Sequence, residues 1–327
     1  AVVGDLMCGA IQQRAALRDG RFDFSEGFTH VAPVLHGADL ALGNLETMVS
    51  PSNPLAADTF FIDGRPHLNA PASFLSAVRE AGFDAVLNAQ NHMYDTGTTG
   101  VYETLDALNR AGLIHGGLYA SAAENRPLLF SVHGIRIGVV AFLDPARQRM
   151  KKASFTPSGL DSMASFLDTK TVHRDITAAR KAGAEFVLAF CHWGAEYTDR
   201  IGPRQNRFAR MVAEAGADYV FGSHSHCPQR YEVISTDDGR EVPVVFSGGN
   251  FLGCIEHHRP ITLDTFISSL TLARGSGGKV AIVRDGYLPC RIVDDERIRG
   301  RVAVVPLDSL ARGAHDYDAT TAREDQA

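Results

Sequence analysis

The sequence predicts an α/β protein built on a mostly parallel sheet, with a more antiparallel C-terminal half. Three observations predict it. Short apolar runs alternate with amphipathic stretches up to about residue 228, the signature of strand–helix–strand units. Three of the amphipathic stretches stop alike, at Ala81-Gly82-Phe83-Asp84, Ala182-Gly183-Ala184-Glu185 and Ala215-Gly216-Ala217-Asp218. In each, glycine supplies the left-handed residue that ends a helix before a strand begins. Beyond residue 228 the apolar pattern switches to period two, as antiparallel strands with one buried face require.

Taken in order, the apolar runs place strands at Ala1–Val3, Asp39–Leu42, Asp84–Leu87, Arg136–Leu143, Glu185–Cys191 and Asp218–Phe221. The amphipathic stretches place helices at Pro71–Ala81, Thr98–Ala111, Thr169–Ala182 and Pro203–Ala215. The period-two runs follow as Arg230–Ser235, Val242–Ser247, Thr262–Ala273, Lys279–Asp285 and Tyr287–Val293. Gly275-Ser276-Gly277-Gly278-Lys279 joins two of them and reads as a hairpin turn. It is no phosphate loop, because the Gly-x₄-Gly-Lys spacing is absent and a strand follows. No repeat or low-complexity linker divides the chain, so one domain is expected over residues 1–312, with a polar, frayed tail over 313–327.

Composition narrows the function. With 45% hydrophobic and 21% charged residues, the chain can bury a sizeable core, and wholesale disorder is excluded. Acidic residues outnumber basic ones 38 to 32, which argues against nucleic acid or an anionic membrane surface as the main partner. No apolar run approaches the roughly 18 residues needed to span a bilayer. The five cysteines, Cys8, Cys191, Cys227, Cys254 and Cys290, are scattered and form no CxxC pair, which fits a reducing compartment. The expectation is therefore a cytoplasmic chain as it stands, or an extracytoplasmic or membrane-anchored one where an N-terminal segment has been removed. Cys191 and Cys227 each adjoin a histidine and are noted as alternative thiolate ligands. No Gly-x-Gly-x-x-Gly or Gly-x-Ser-x-Gly is present, which disfavours a dinucleotide site and a serine hydrolase.

Ligand-type residues recur just beyond the apolar runs: Asp5; Asn44 and Glu46; Asn88, Asn91, His92 and Asp95; His192 and Glu196; His224 and His226; Asn250. The carboxyl ends of parallel strands open onto one shared crevice, so these six clusters can meet at one edge of one sheet. Carboxylates, imidazoles and an amide oxygen together suit Zn²⁺, Mn²⁺ or Fe²⁺. Two such ions, about 3.5–4 Å apart, need a bridging carboxylate and can activate a water for in-line attack on phosphorus. Glu46 can be the bridge. His224 and His226 can serve one ion each, since residues two apart in an extended loop point the same way.

Six segments together resemble the CapA-type capsule-synthesis proteins, a family associated with poly-γ-glutamate within the calcineurin-like metallophosphoesterase superfamily. They are Gly4-Asp5-Leu6-Met7, Gly43-Asn44-Leu45-Glu46, Asn88-Ala89-Gln90-Asn91-His92-x-x-Asp95-x-Gly97, His192-Trp193-Gly194-x-Glu196-Tyr197, Gly222-Ser223-His224-Ser225-His226 and Gly249-Asn250-Phe251. The resemblance runs from residue 1 to about 290 and is most specific between Phe190 and Gln229. It implies a four-layer α/β/β/α metallophosphatase-like sandwich and one or two divalent metal ions. It also implies ligand roles: Asp5 on the first ion, Glu46 bridging, Asn91, His192 and His224 on the second, and His226 returning to the first. His92 would be the general acid, oriented by Asp95. One position departs from the superfamily: its phosphoesterases usually carry Asp-x-His where this chain has Asp5-Leu6-Met7, and a thioether is a poor ligand for a hard site. The resemblance implies that capsule-type relatives share this substitution.

The substrate expected on these grounds is an anionic small molecule or glutamyl-type compound. Arg200 and Arg204 would receive its phosphate or carboxylate, and Asn44, Glu196 and Asn250 would contribute at the crevice. Arg65 and His257-His258 are weaker candidates. Two readings stand: a metal-dependent enzyme acting on a phosphoryl or amide bond, or a non-catalytic accessory protein among capsule-synthesis partners. The His92–Asp95 pair favours the first, because a purely structural site needs no general acid.

Overall fold

At each predicted helix stop the glycine takes a positive φ, +106° at Gly82, +95° at Gly183 and +110° at Gly216. The next strand begins three residues later in every case. This punctuation organises a computed structural model that describes residues 1–59, 61–62, 65–146, 163–253, 259–294 and 302–311. The expected tail, Cys254 and His257-His258 lie outside the described residues.

The strands are β1 (Val2–Leu6), β2 (Leu17–Arg18), β3 (Arg21–Phe22), β4 (Leu42–Leu45), β5 (Phe61–Ile62), β6 (Arg65–Pro66), β7 (Ala85–Leu87), β8 (Ile114–Gly116) and β9 (Leu128–Val132). They continue with β10 (Ile135–Leu143), β11 (Phe186–His192), β12 (Tyr219–Ser223), β13 (Pro228–Ser235), β14 (Glu241–Gly248), β15 (Asn250–Leu252), β16 (Asp264–Arg274), β17 (Val280–Asp294) and β18 (Val302–Pro306). The helices are α1 (Ala10–Ala16), α2 (Ala32–His36), α3 (Ser73–Glu80), α4 (Gly97–Ala111), α5 (Thr169–Lys181), α6 (Pro203–Glu214) and α7 (Leu307–Ala311). No helix among the described residues is long and apolar enough to cross a membrane.

The fold is mixed α/β, as expected, but the strands divide into two principal sheets where the apolar runs alone suggested one. The first runs β18-β17-β16-β1-β4-β7-β8, with β15 also on β1, and the second runs β13-β14-β12-β11-β10-β9. The parallel ladder of the first is β1-β4-β7-β8, and that of the second is β10-β11-β12-β14. The pairs β13–β14, β16–β17 and β17–β18 are antiparallel, as the period-two pattern implied. Gly286 sits inside β17 as the partner of Ser269, so the two runs around it are one strand. The hairpin at Gly275–Lys279 forms, closed by bonds from Gly275 N–H to Lys279 O and from Gly278 N–H to Gly275 O.

The two faces of the central strands go to different cores. Val3 and Leu6 of β1 pack with Phe74, Leu75 and Val78 of α3 and Leu108 of α4. Val2, Leu42 and Leu87 face Ile137, Leu188 and Phe221 of the other sheet. On the far side, Val140, Val187 and Val220 pack with Ile176 of α5 and Val212 of α6. Each such side chain fully buried contributes about 1.5–3 kcal/mol, so the sheet-to-sheet contact is strongly held.

The two rims are stitched where the chain changes sheets. β14 belongs to the second sheet and β15 to the first; between them Gly249 takes φ +68° and its carbonyl accepts the Asp5 N–H at 2.9 Å. A Cβ on Gly4 would meet that carbonyl oxygen at 2.0 Å, so only glycine permits the approach.

Candidate metal centre

Register brings the first sheet's polar residues together. Asp5 pairs with Asn44 across β1–β4 and with Asn250 across β1–β15. These residues and His192 lie within the strands rather than beyond them, because the ladder continues through polar residues whose neighbours are buried. For that reason the strand expected at Asp39–Leu42 is found three residues later. Asn44 Nδ2 donates to Asp5 Oδ1 at 2.8 Å and lies 3.4 Å from His192 Nδ1. The His224 N–H donates to Asp5 Oδ2 at 3.1 Å. Burial pushes the Asp5 carboxyl up to about 7, against the downward pull of these donors.

From the second sheet, His192 Nε2 lies 2.7 Å from Asn91 Oδ1 and 3.5 Å from Glu46 Oε1. Its Nδ1 is 2.9 Å from Ser223 Oγ. His226 Nδ1 lies 3.0 Å from Asn250 Oδ1, 3.7 Å from Asp5 Oδ2 and 3.9 Å from Glu46 Oε2. The rings of His192 and His224 are 4.6 Å apart, and those of His224 and His226 are 6.0 Å apart. Asp5, Asn44, Glu46, Asn91, His192, His224, His226 and Asn250 are each no more than 2% exposed.

The convergence of the last two histidines has a different cause from the one expected. His224 and His226 are not extended: their φ values are +90° and +59°. Left-handed backbone, rare for non-glycine residues, turns both imidazoles inward.

Two groups of ligand atoms result, each lying within 4.8 Å: Glu46, His224 and His226, and Asp5, Glu46 and His192. Glu46 belongs to both. These groups cut across the division that the resemblance implies, whereas the 2.7 Å contact of Asn91 with His192 and the 3.7 Å approach of His226 to Asp5 follow it. Carboxylates and imidazoles buried this closely fit a hard or borderline divalent cation, because such groups are costly to bury without a compensating charge. No group of this kind among the described residues includes a cysteine, and burial drives the Cys191 thiol well above its ordinary range.

Next to Asn91 in the chain, His92 has Nδ1 2.7 Å from Asp95 Oδ2, which also accepts the Leu68 N–H at 2.9 Å. The expected substrate residues are less uniform. Asn44 and Asn250 are turned toward Asp5 and His226. Glu196 is half-buried in the loop after β11, and Arg200 is exposed. Arg204 forks onto the buried Asp144, with Nε and Nη2 at 2.9 and 2.8 Å from Oδ1. The side chain of Arg65 lies outside the described residues.

Three contributors escape the sequence reading. Ser223 orients His192, Gln90 accepts the His92 N–H, and Asp144 holds Arg204 while its N–H donates to the His192 carbonyl at 2.9 Å. Asp144 follows an apolar run just as the other site residues do, so the same signal could have found it.

Comparison with known proteins gives the chain a family. Residues 1–253 match the family model "Bacterial capsule synthesis protein PGA_cap". The capsule biosynthesis protein CapA of Bacillus anthracis is 30% identical over 258 residues, covering 77% of this chain and 58% of the relative. The PGA biosynthesis protein CapA of Bacillus subtilis is 26% identical over 254 residues, covering 76% and 62%. The chain thus spans about three-fifths of the length of these relatives. Among solved structures, a hypothetical protein from Thermus thermophilus superposes with a TM-score of 0.51 at 14% identity, over 88% of this chain and 97% of that one. The sulfate thiohydrolase SoxB of the same organism gives 0.50 at 15% identity, over 92% and 45%. At these identities the structural likeness speaks for the metallophosphoesterase-like fold, and the sequence match assigns the family: the chain belongs to the bacterial capsule synthesis protein PGA_cap family.

Proposed function

We propose that this chain is a metal-dependent hydrolase or transferase acting on a phosphoryl or γ-glutamyl amide bond in poly-γ-glutamate-type metabolism. The observation that carries the reading is the sharing of Glu46 between two buried ligand groups, the arrangement a bridging carboxylate needs. Asp5, Glu46, Asn91, His192, His224 and His226 would hold one or two divalent ions, with manganese, zinc or iron as the candidates. Bound there, the ions would polarise a phosphoryl or acyl oxygen and activate water.

The chain's own groups supply the rest. Asp95, anchored by the Leu68 N–H, fixes the His92 ring through Nδ1 and leaves Nε2 to pass a proton to the leaving group. Asn44 and Ser223 set the orientation of Asp5 and His192. Because Arg204 is engaged by Asp144, the exposed Arg200 is the better placed of the two expected arginines to meet an anionic substrate.

A second reading, a non-catalytic accessory role beside capsule-synthesis partners, has one observation in its favour. Met7 takes the usual histidine position, and a Cβ on Gly253 would lie 3.3 Å from the Met7 sulfur, so the thioether packs against backbone. A relative in Mycobacterium tuberculosis is named a probable polyglutamine synthesis accessory protein.

One experiment separates the two: elemental analysis of the metal-replete protein, with assays on phosphomonoesters and γ-glutamyl amides for the native chain and His92→Ala. The enzyme reading expects stoichiometric metal in both and a loss of about 10²–10⁴-fold in rate for the variant. Unchanged activity with metal retained would leave the accessory reading.

A further inference from the structure

Arg259 lies outside every segment that the sequence singled out, yet two separate paths tie it to the metal centre. The first is a stack of side chains. The Tyr197 ring lies on the His226 imidazole with centroids 5.5 Å apart and planes within 26°. The Arg259 guanidinium packs against the Tyr197 ring at 5.3 Å, a cation–π contact. The second path runs through the backbone. The Arg259 carbonyl accepts from Thr262 N–H at 2.9 Å and from Thr262 Oγ1 at 2.8 Å. The Thr262 carbonyl accepts from Asn250 Nδ2 at 3.1 Å, and Asn250 Oδ1 lies 3.0 Å from His226 Nδ1. The circuit closes on the histidine from which the stack began.

Tyr197 completes it under strain. Its φ is +61°, and its carbonyl accepts from Arg259 Nη1 at 3.2 Å. A left-handed backbone is unfavourable for tyrosine, and here it presents a ring to both the imidazole and the guanidinium. Arg259 is exposed, and among the described residues no carboxylate forms an ion pair with it. Arg204, by contrast, is bound bidentately to Asp144. A guanidinium fixed at one nitrogen and along one face keeps its remaining donors for an oxyanion from solvent.

We propose that Arg259 binds an anionic group of the substrate at the mouth of the metal centre, outside the group held by the buried ligands, and so selects substrates that carry repeated negative charge. This rests on the metal-centre reading above and deepens it. Carboxylates of a γ-glutamyl chain and phosphates of a polyphosphate share the required chemistry.

The test is calorimetric binding of tri-γ-glutamate and, separately, of tripolyphosphate to the metal-replete native chain, Arg259→Lys and Arg259→Ala, with metal content measured on each. Expected is a loss of about ten-fold in affinity for one of the two probes in Arg259→Ala, partial retention in Arg259→Lys, and unchanged metal content. The probe that responds identifies the class. Equal affinities in native chain and Arg259→Ala, or no binding of either probe to the native chain, would overturn the proposal while leaving the metal centre intact. Loss of metal in Arg259→Ala would also overturn it, showing that the arginine only braces Tyr197. A native chain that takes up no metal would fail the parent reading, and the difference between native and variant affinities would still decide the role of Arg259.

Discussion

The two sheets feed the candidate metal centre by different means. From the first come Asp5, Asn44, Glu46 and Asn91, the carboxylates and amides, and Asp5 and Asn44 are partners across the β1–β4 ladder, Asp5 just after a register shift in it. From the second come the imidazoles. His192 ends a strand, but His224 and His226 stand on left-handed backbone at φ +90° and +59°. One side is positioned by strand pairing, with a register shift at Asp5. The other is positioned by local strain of about 1–3 kcal/mol per residue, which the rest of the fold must hold. The anionic side carries its cost in burial of charge, and the imidazole side carries it in backbone conformation.

The largest effect is expected where the two sides join. Glu46→Gln keeps the shape and removes the one carboxylate common to both ligand groups. Metal retained per chain after dialysis should fall by about ten-fold or more, whereas a change at Asp5 touches one group only. Full metal content in Glu46→Gln would mean that the two sides do not meet at this residue.

The burial cost of the anionic side has a pH signature. Asp5 titrates at about 7 in the metal-free chain because burial opposes its charge, against roughly 3.9 when unfolded. Below pH 4 both states hold the proton and the difference has no effect. Between about 4 and 7 the unfolded state releases it first, so stability falls as pH rises, by about 4 kcal/mol in all. Denaturation in chelator at pH 5 and pH 8 should show this decline. A saturating divalent ion should reverse it, because a ligated carboxylate must be ionised. A flat or rising apo profile would show that Asp5 is not desolvated as its surroundings imply.

The contrast between the sheets also explains what the sequence made legible. Period-two and glycine-stop patterns are local, so the helices, the antiparallel pairs and the strand-end positions of Asp5, Glu46 and His192 could be read from them. The partition into two sheets is not local. It depends on Gly249, where the chain leaves one sheet for the other, and on Gly4, whose missing side chain admits the Gly249 carbonyl. Nothing in the apolar runs distinguishes one sheet from two. The family resemblance supplied the two-sheet expectation instead. The convergence of His224 and His226 was expected for the wrong reason, since residue spacing carries no sign of φ. Strands β8 and β15, of three residues each, are too short to show alternation, and the equally short β7 is legible because a glycine stop precedes it.

Strain at His224 can be separated from the loss of its imidazole by comparing it with His192. Both rings are buried to within 2% of complete, and valine at either position removes a ligand and leaves similar empty space. At His192 the backbone is a strand end, where a β-branched side chain is well accommodated. At His224 the φ of +90° lies where a β-branched residue is a genuine outlier. Metal affinity should fall in both variants. In chelator, however, His224→Val should be less stable than His192→Val by about 1–3 kcal/mol, read from denaturant midpoints at equal slope. Equal midpoints would mean that the Gly222–His226 turn relaxes to ordinary backbone once its ring is gone. The imidazole side would then be held by the ligand geometry itself and not by the surrounding fold.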